Sequence, residues 1–268
     1  MILFFQKKEI IEFMIHIKKN QKDNLELSIY RYNSSISSYP YMKSYFFQME
    51  KVKGKMLLDL LIQVKKKDPS FSFRMSCGQG VCGSDGMNIN GRNGLSCITS
   101  VDWLIKRNKK IVIKPLTGFP ILKDLIVDLS SFFNQYQKVL PYIIKDQKDI
   151  FDKRKNIQKV DSRNQLEGLY ECILCACCSS SCPSFWWNEK KFLGPAAILV
   201  LYRFLLDDRD HGNDLRLRRL HDHFSVFKCH NIMNCVSFCP KKLNPNKAIR
   251  SVKIMLLKHI FKKINKKL

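Results

Sequence analysis

The sequence CILCACCSSSCP at residues 172–183 contains four cysteines at the spacing C-x2-C-x2-C-x3-C, followed by a proline. This spacing is typical of proteins that bind two iron-sulfur clusters, in which the fourth cysteine of one run binds the cluster of the other run. A second run is therefore expected. The sequence CHNIMNCVSFCP at residues 229–240 supplies it, with Ile232 in the place of the second cysteine.

The missing cysteine predicts two clusters of different type. When the last cysteines are exchanged between the runs, one cluster receives four thiolates and the other receives three. Isoleucine has no metal-binding atom, so Ile232 would fill the corner at which one iron is absent. The predicted 4Fe-4S ligands are Cys172, Cys175, Cys178 and Cys239, and the predicted 3Fe-4S ligands are Cys182, Cys229 and Cys235.

A third site is predicted upstream, where the sequence follows the plant-type 2Fe-2S spacing with an aspartate in the third place. The segment is rich in glycine, which adopts positive φ without steric cost and suits a backbone wrapped around a cluster. Aspartate in such a loop is also a common turn former, so both interpretations of Asp85 stay open, with ligation preferred. The predicted 2Fe-2S ligands are Cys77, Cys82, Asp85 and Cys97.

Two other uses of cysteine were weighed. A disulfide framework belongs to small secreted chains, and residues 1–24 do not have the composition of a signal or transit peptide. Zinc also binds paired cysteines, but its sites use sets of four ligands at other spacings. Cys177, the eleventh cysteine, fits no ligand position and is predicted to be a small buried residue.

The formal net charge of +24 over 268 residues would suit nucleic acid or an anionic membrane surface. Because the lysines are spread along the chain, we expect a solvated basic surface and no nucleic-acid partner, with attraction to anionic lipid as the alternative. The longest apolar stretch, residues 196–206, contains Arg203 and is too short to span a membrane. Cysteines that bind iron also predict a reducing compartment.

The pattern along the chain predicts an α+β protein. Alternating residues indicate strands at 25–33 and 44–50, helical spacing follows at 56–64, and a turn is predicted at 91–94. Residues 121–142, 193–207 and 248–264 are predicted to be helical. We therefore expect a disordered extension at 1–24, a β-grasp domain of the plant-type 2Fe-2S ferredoxin kind at 25–128, and an all-α, bacterial-ferredoxin-like domain with two clusters at 129–268.

Several longer stretches resemble one family, the iron-sulfur subunits of succinate dehydrogenase. They are SIYRYN at 28–33, CGSDGMNING at 82–91, LYECILCACC at 169–178, CPSFWWN at 182–188 and FSVFKCHNIMNCVSFCPK at 224–241. The resemblance implies that electrons from an FAD-containing flavoprotein subunit pass through the 2Fe-2S, 4Fe-4S and 3Fe-4S clusters to ubiquinone or a related quinone. It further implies membrane-anchor subunits, with haem b as an option, that hold the chain on the cytoplasmic face of a bacterial inner membrane.

The resemblance also implies a quinone site beside the 3Fe-4S cluster, formed by Pro183, Ser184, Trp187, His230 and Ile232. Trp186 is expected to be a packing residue. Three rival functions were considered. These are the iron-sulfur subunit of fumarate reductase, a soluble two-domain ferredoxin, and a zinc-dependent nucleic-acid-binding module. The run Phe185-Trp186-Trp187 is too apolar for a soluble ferredoxin and favours a docked protein partner. A nucleic-acid-binding module would need aromatic residues interleaved with Lys and Arg, whereas these lie beside cysteines.

Overall fold

The structure is a computed structural model that describes residues 24–36, 39–106, 108–145 and 157–265. The predicted extension therefore lies outside the described residues except for Asn24, which begins the first strand. Among the described residues, no helix is both long and apolar enough to cross a membrane.

The N-terminal half is built on a mixed five-stranded sheet of order β2-β1-β5-β3-β4. Strands β1 and β5 are parallel, and the other neighbouring pairs are antiparallel. In β1 the residues Leu25, Leu27 and Ile29 are fully buried, as the period of two predicts for a strand with one face on the core. The strands are β1 (Asn24–Arg31), β2 (Tyr41–Gln48), β3 (Gly86–Ile89), β4 (Arg92–Leu95) and β5 (Lys110–Lys114).

Three helices accompany this sheet: α1 (Met49–Val52), α2 (Leu57–Lys67) and α3 (Val101–Ile105). The helix predicted at residues 56–64 is confirmed as α2. Its buried residues Leu57, Leu60, Leu61 and Val64 recur at helical spacing and pack into the same core as the buried side chains of β1.

The turn predicted at residues 91–94 lies two residues earlier than expected. Strand β3 pairs with β4 so that Ile89 faces Arg92, which leaves Asn90 and Gly91 as a two-residue loop. Both residues have positive φ, of 50° and 83°, as a type I′ hairpin turn requires. The shift places Asn93 inside a strand, where its side chain is buried.

The helix predicted at residues 121–142 is wrong at its start. Residues there form a small antiparallel pair, β6 (Ile121–Lys123) and β7 (Ile126–Val127), and helix α4 covers only Ser130–Lys138. The cause is tertiary: the buried carboxylate of Asp124 accepts hydrogen bonds from Arg31 Nε and from the amides of Tyr32 and Ser72, at 2.8–3.0 Å. These bonds tie the segment to the sheet domain and override its helical pattern.

Every described element after α4 is a helix. Helix α8 is buried on nearly all sides and packs against α11, which confirms the helices predicted at 193–207 and 248–264. The elements are α5 (Val160–Asn164), α6 (Cys177–Ser180), α7 (Pro183–Trp187), α8 (Gly194–Leu206), α9 (Asn213–Arg218), α10 (Asn234–Ser237) and α11 (Pro245–Ile264).

The two halves share packing across the chain segment that joins them. Leu116 and Phe119, which follow β5, are buried in the helical core together with Phe185 and Ile198. The domain boundary predicted near Asp128 stays a prediction.

Candidate iron-sulfur centres

The upstream cysteine loop runs between α2 and β3. Gly78, Gly80 and Gly83 have φ of 69°, 69° and 70°, a region that only glycine reaches at low cost. This conformation turns backbone amides toward sulfur, since Gln79 N and Cys82 N donate to Cys77 Sγ at 3.4 and 3.3 Å. The loop therefore has the geometry expected of a segment that wraps a cluster, with backbone N–H groups placed to donate hydrogen bonds to a thiolate.

Asp85, at the end of this loop, lies next to Cys97, which follows strand β4. Its carboxylate is buried, and Oδ2 accepts hydrogen bonds from Ser96 Oγ at 2.9 Å and from the amide of Cys97 at 2.6 Å. The Cys97 thiol also interacts with this carboxylate through a hydrogen bond and through its charge. The carboxylate is thus held in one orientation, which suits both a ligand and a turn-stabilising residue.

The two downstream runs have the same backbone conformation. The residues two and four places after the first cysteine are left-handed in both runs, namely Leu174 and Ala176 in one and Asn231 and Met233 in the other. A short helix begins one residue later in each, α6 at Cys177 and α10 at Asn234. Ile232 therefore occupies the structural position of Cys175, although its side chain offers no metal-binding atom.

Each run contributes to two cavities. One cavity is lined by all four cysteines predicted to bind the 4Fe-4S cluster, Cys172, Cys175, Cys178 and Cys239. The other is lined by the three cysteines predicted to bind the 3Fe-4S cluster, Cys182, Cys229 and Cys235. The exchange of last cysteines between the runs, inferred from spacing, is thus the grouping that the fold produces.

The second cavity is also lined by four of the five residues that the resemblance assigns to quinone, namely Pro183, Ser184, His230 and Ile232. Ser184 is buried, whereas His230 and Ile232 are exposed, Ile232 by 52%. Trp187 lies outside this lining. Its side chain is 77% exposed and contacts no hydrogen-bond partner among the described residues.

Trp186 makes the packing contacts expected of it, although its side chain is 40% exposed. Its indole Nε1 donates to the carbonyl of Ser180 at 2.8 Å, and its ring lies against Gly118. A Cβ on Gly118 would lie only 2.1 Å from the Trp186 ring, so this glycine is required for the contact.

Within the described ranges, no three His, Cys, Asp or Glu side chains converge closely enough to hold a single metal ion. A cluster differs from a single ion because its ligands bind separate irons and so stand around a larger body. The cavity lined by four thiols and the one lined by three fit that arrangement. The donor sets consist of thiols and, upstream, one carboxylate.

A hydrogen bond with the Cys177 side chain lowers the pKa of Cys175. Burial instead raises the pKa of other thiols here, to about 11 for Cys172, to about 12 for Cys235, and well above its usual value for Cys178. A thiol binds iron only as thiolate, so each thiol whose pKa is raised must lose a proton that the apoprotein retains at neutral pH. Positively charged iron would supply the charge that compensates buried thiolates at these positions.

The thiols of the upstream site differ from each other in pKa. Burial, together with the hydrogen bond and charge of Asp85, raises the pKa of Cys97 to about 12. By contrast, hydrogen bonds from Ser84 and from the Cys77 backbone lower the pKa of the exposed Cys82 thiol to about 6. Cys82 therefore loses its proton far more readily than Cys97.

The upstream loop lies directly against the four-cysteine site. A Cβ on Gly83 would lie 2.8 Å from Cys175 Cβ, and a Cβ on Gly86 would lie 3.0 Å from the Cys175 carbonyl oxygen. Behind this contact, the buried Asn93 side chain donates to Cys177 O at 3.3 Å and to Ser180 Oγ at 3.0 Å. The buried Cys177 is part of this junction, consistent with the packing role predicted for it.

The predicted elements do not indicate the junction residues. The sequence predicts only a glycine-rich loop around Gly83 and Gly86, and it predicts a turn at Asn93. The available signal was the short Asn90-Gly91 pair, which marks the hairpin turn and moves Asn93 into the following strand.

The fold and the cysteine sites define a protein with two iron-sulfur units in one chain. Residues 26–134 match the 2Fe-2S iron-sulfur cluster binding domain family, and residues 171–244 match the 4Fe-4S dicluster domain family. The chain is 48% identical over 233 residues to the succinate dehydrogenase iron-sulfur subunit of Coxiella burnetii, covering 87% of this chain and 97% of that protein. The chain belongs to the family of succinate dehydrogenase iron-sulfur subunits, and its activity is electron transfer within that enzyme.

Solved structures show the same fold at lower identity. A chain of the Mycobacterium smegmatis Sdh1 complex in the apo form aligns with a TM-score of 0.78 and 20% identity, over 89% of this chain and 97% of that one. A hypothetical protein from Helicobacter pylori aligns with a TM-score of 0.51 and 19% identity, over 86% of this chain and 39% of that one.

Proposed function

We propose that this chain carries electrons from a flavoprotein subunit, in which FAD oxidises succinate, to quinone through three clusters of different type. The 2Fe-2S cluster would be held by Cys77, Cys82, Asp85 and Cys97. The 4Fe-4S cluster would be held by the four-cysteine set and the 3Fe-4S cluster by the three-cysteine set. When bound, the clusters supply one-electron redox chemistry, and the chain supplies their ligands, spacing and surroundings.

The equivalence of Ile232 and Cys175 carries this proposal. Both residues follow a left-handed residue and precede another, so the backbone offers the same ligand position twice. Only one of the two side chains can bind iron. A cuboidal cluster held by three thiolates, with an apolar side chain at its fourth corner, is the 3Fe-4S type. This cluster would accept electrons last, at the end of the cluster series that is open to the surface.

The contact between Gly83 and Cys175 supports the order of transfer. The upstream loop meets the four-cysteine site with no side chain between their backbones, and the four-cysteine and three-cysteine sites share both cysteine runs. The 4Fe-4S cluster would therefore stand between the other two. Cluster type, hydrogen bonds and exposure set each potential, so the chain can tune each step separately.

The quinone site would lie where the three-cysteine cavity meets the surface. Ser184 and His230 line the cavity and offer polar groups, and Pro183 and Ile232 offer apolar contacts. The exposed indole of Trp187 has an N–H group that could donate a hydrogen bond to a quinone carbonyl. An indole exposed to this extent, three residues after the cavity-lining Ser184, suits contact with membrane-anchor subunits, which would hold the chain at the cytoplasmic face of the membrane.

The finer description of the fold belongs to the same proposal. The five-stranded sheet with α2 across it is interpreted as a β-grasp domain that spans residues 25–128. The helices that follow are interpreted as an all-α, bacterial-ferredoxin-like domain of residues 129–268. Haem b would be bound by the anchor subunits and not by this chain.

Rapid-freeze EPR on the assembled complex tests the proposal. When succinate alone is added, every centre whose reduction potential is high enough to accept electrons from succinate should become reduced. Quinone added next should restore the signal of the oxidised 3Fe-4S centre before the other centres are reoxidised. A 3Fe-4S centre that stays reduced, with its signal absent, while quinone turns over would contradict the proposed exit.

A further inference from the structure

A basic surface cavity of about 490 Å³ lies outside all three cysteine sites. Its charged lining comes from three separate parts of the helical half. Lys138 ends helix α4, Lys190 and Lys191 follow helix α7, and Arg219 follows helix α9. The cavity is therefore formed by tertiary folding and not by one lysine-rich stretch.

Hydrogen bonds fix the shape of the cavity. Lys138 Nζ donates to the carbonyl of Lys190 at 3.0 Å, which joins α4 to the loop after α7. Leu193 N donates to the carbonyl of Ser225 at 3.0 Å, which joins the same loop to the residues before Cys229. Leu193, Leu220 and Ser225 are buried and form the base of the cavity.

The cavity has an excess of positive charge. Four cationic side chains line it, against one carboxylate, that of Asp222. This carboxylate is already engaged, because it accepts bonds from Phe224 N, Ser225 N and Ser225 Oγ, each at 2.7 Å. Among the described residues, no carboxylate pairs with any of the four cations. Lys138 Nζ already donates to the Lys190 carbonyl and has further N–H donors for an anion, since an ammonium group has three.

Two further observations indicate which anion this is. Lys191 Nζ and Lys228 Nζ lie 4.6 and 4.9 Å from the centroid of the Phe224 ring, so apolar surface lies directly beneath the ammonium groups. The loops that form the cavity also continue into the proposed quinone end, since Lys190 follows Trp187 by three residues and Phe224 precedes Cys229 by five. A ligand with a phosphate and an apolar portion, present at a membrane surface, matches both.

We propose that this cavity binds the phosphate of an anionic phospholipid headgroup at the membrane face of the assembled complex. The proposal rests on the proposed function, since that function brings this end of the chain to a membrane. Ammonium and guanidinium groups donate charge-assisted hydrogen bonds to phosphate oxygens. Basic residues beside a membrane also gain from the negative potential of anionic lipid.

Calorimetric titration of the purified complex in neutral detergent tests the lipid site. The probes are dihexanoyl phosphatidylglycerol, dihexanoyl phosphatidylcholine and inorganic phosphate. The test variant is Lys190→Gln with Lys191→Gln and Arg219→Gln. The control is Lys51→Gln with Lys53→Gln and Lys66→Gln, which removes three exposed charges from the sheet domain. Both variants change the net charge equally, so long-range attraction is matched.

Phosphatidylglycerol should bind the wild-type complex at least about tenfold more tightly than phosphatidylcholine, and the test variant should lose that difference while the control keeps it. Equal binding of the two lipids, an equal loss in the control, or no loss in the test variant would overturn the proposal. Displacement of the lipid by inorganic phosphate at equal concentration would identify a free-phosphate site and would also overturn it.

Assembly is checked by the cluster EPR signals, and the Lys190→Gln, Lys191→Gln double variant, which alters only exposed side chains, is used if the triple variant does not assemble. Failure of the proposed function would appear differently, as a wild-type complex whose 3Fe-4S signal does not change when quinone is added. The lipid titration measures binding at the cavity and does not depend on that result.

Discussion

Gly83, in the upstream cysteine loop, lies in backbone contact with Cys175, the second cysteine of the four-cysteine site. A Cβ on Gly83 would lie 2.8 Å from Cys175 Cβ and 2.9 Å from the carbonyl oxygen of Ile173. No side chain separates the two loops at this point. The contact brings together two sites that are 92 positions apart in the sequence, counted from residue 83 to residue 175.

Gly83→Ala should therefore disturb the junction between the clusters. The added methyl group meets backbone and Cβ atoms that have no room to move, and alanine at φ +70° is itself strained by roughly 1–2 kcal/mol. Gly54→Ala is the matched control, because Gly54 has the same φ of +70° with nothing within 4 Å of its Cβ. We expect lower 4Fe-4S occupancy and slower electron transfer in the first variant only, measured by EPR and stopped-flow absorbance. Equal behaviour of the two variants would mean that backbone strain alone matters.

Ile232→Cys should supply the fourth thiolate that the second run lacks. Because Ile232 has the backbone position of Cys175, the new sulfur should favour a 4Fe-4S cluster of lower potential. Iron analysis and EPR of the assembled complex measure this, with Ile232→Val as a control that keeps an apolar side chain. If the cysteine variant has the iron content and spectrum of wild type, the corner assigned to Ile232 is wrong.

A role of Asp85 as an iron ligand can be separated from its role in the turn. Asp85→Cys should keep a 2Fe-2S cluster with an altered spectrum, because thiolate is the usual ligand at this place. Asp85→Ala should weaken the cluster and also release Ser96 Oγ and the Cys97 amide from their acceptor. Ser96→Ala removes one of those hydrogen bonds without touching a ligand and serves as the control. An unchanged spectrum and potential in the alanine variant would restrict Asp85 to the turn.

Much of the site could be predicted from sequence because cluster ligands follow fixed local spacings. The two cysteine runs, the substitution at Ile232 and the helices around them all depend on neighbours along the chain. The junction could not be predicted, since the contact of Gly83 with Cys175 depends on how two segments far apart in the sequence pack together. The error at residues 121–142 has the same origin, because the buried Asp124 makes its bonds to Arg31, Tyr32 and Ser72, far away in sequence.

Trp187→Phe should lower quinone reduction while leaving the clusters intact. The change keeps the aromatic bulk and removes the indole N–H, and a lost hydrogen bond of about 1–2 kcal/mol corresponds to roughly a 5- to 30-fold effect. Succinate oxidation by a dye that accepts electrons at the flavin should be unchanged on the same membranes. Trp186→Phe is the control, since it breaks the bond to Ser180 O and should affect both activities together. An equal loss of both activities for Trp187→Phe would indicate a structural role.

The sheet domain should lose stability in acid through Asp68. Hydrogen bonds from Lys43, Ser70, Tyr45 and Arg31 hold the pKa of Asp68 well below its usual range. A carboxylate with a depressed pKa in the folded state stabilises the protein fully above its unfolded pKa of about 3.9 and less as the pH falls below it. Asp68→Asn should therefore release its 2Fe-2S cluster faster than wild type at pH 7, and the difference should shrink as the pH is lowered below about 4. A difference that does not depend on pH would contradict this. The exposed Asp161→Asn is the control.

The most direct test of the three-cluster relay is a low-temperature EPR redox titration of the purified complex, with iron and sulfide counted on the same sample. We expect three separate signals, from one 2Fe-2S, one 4Fe-4S and one 3Fe-4S centre, with the 3Fe-4S signal belonging to the oxidised state and disappearing on reduction. Two 4Fe-4S signals, or the absence of a 3Fe-4S signal in a complex that oxidises succinate with quinone, would contradict the assignment of Cys182, Cys229 and Cys235.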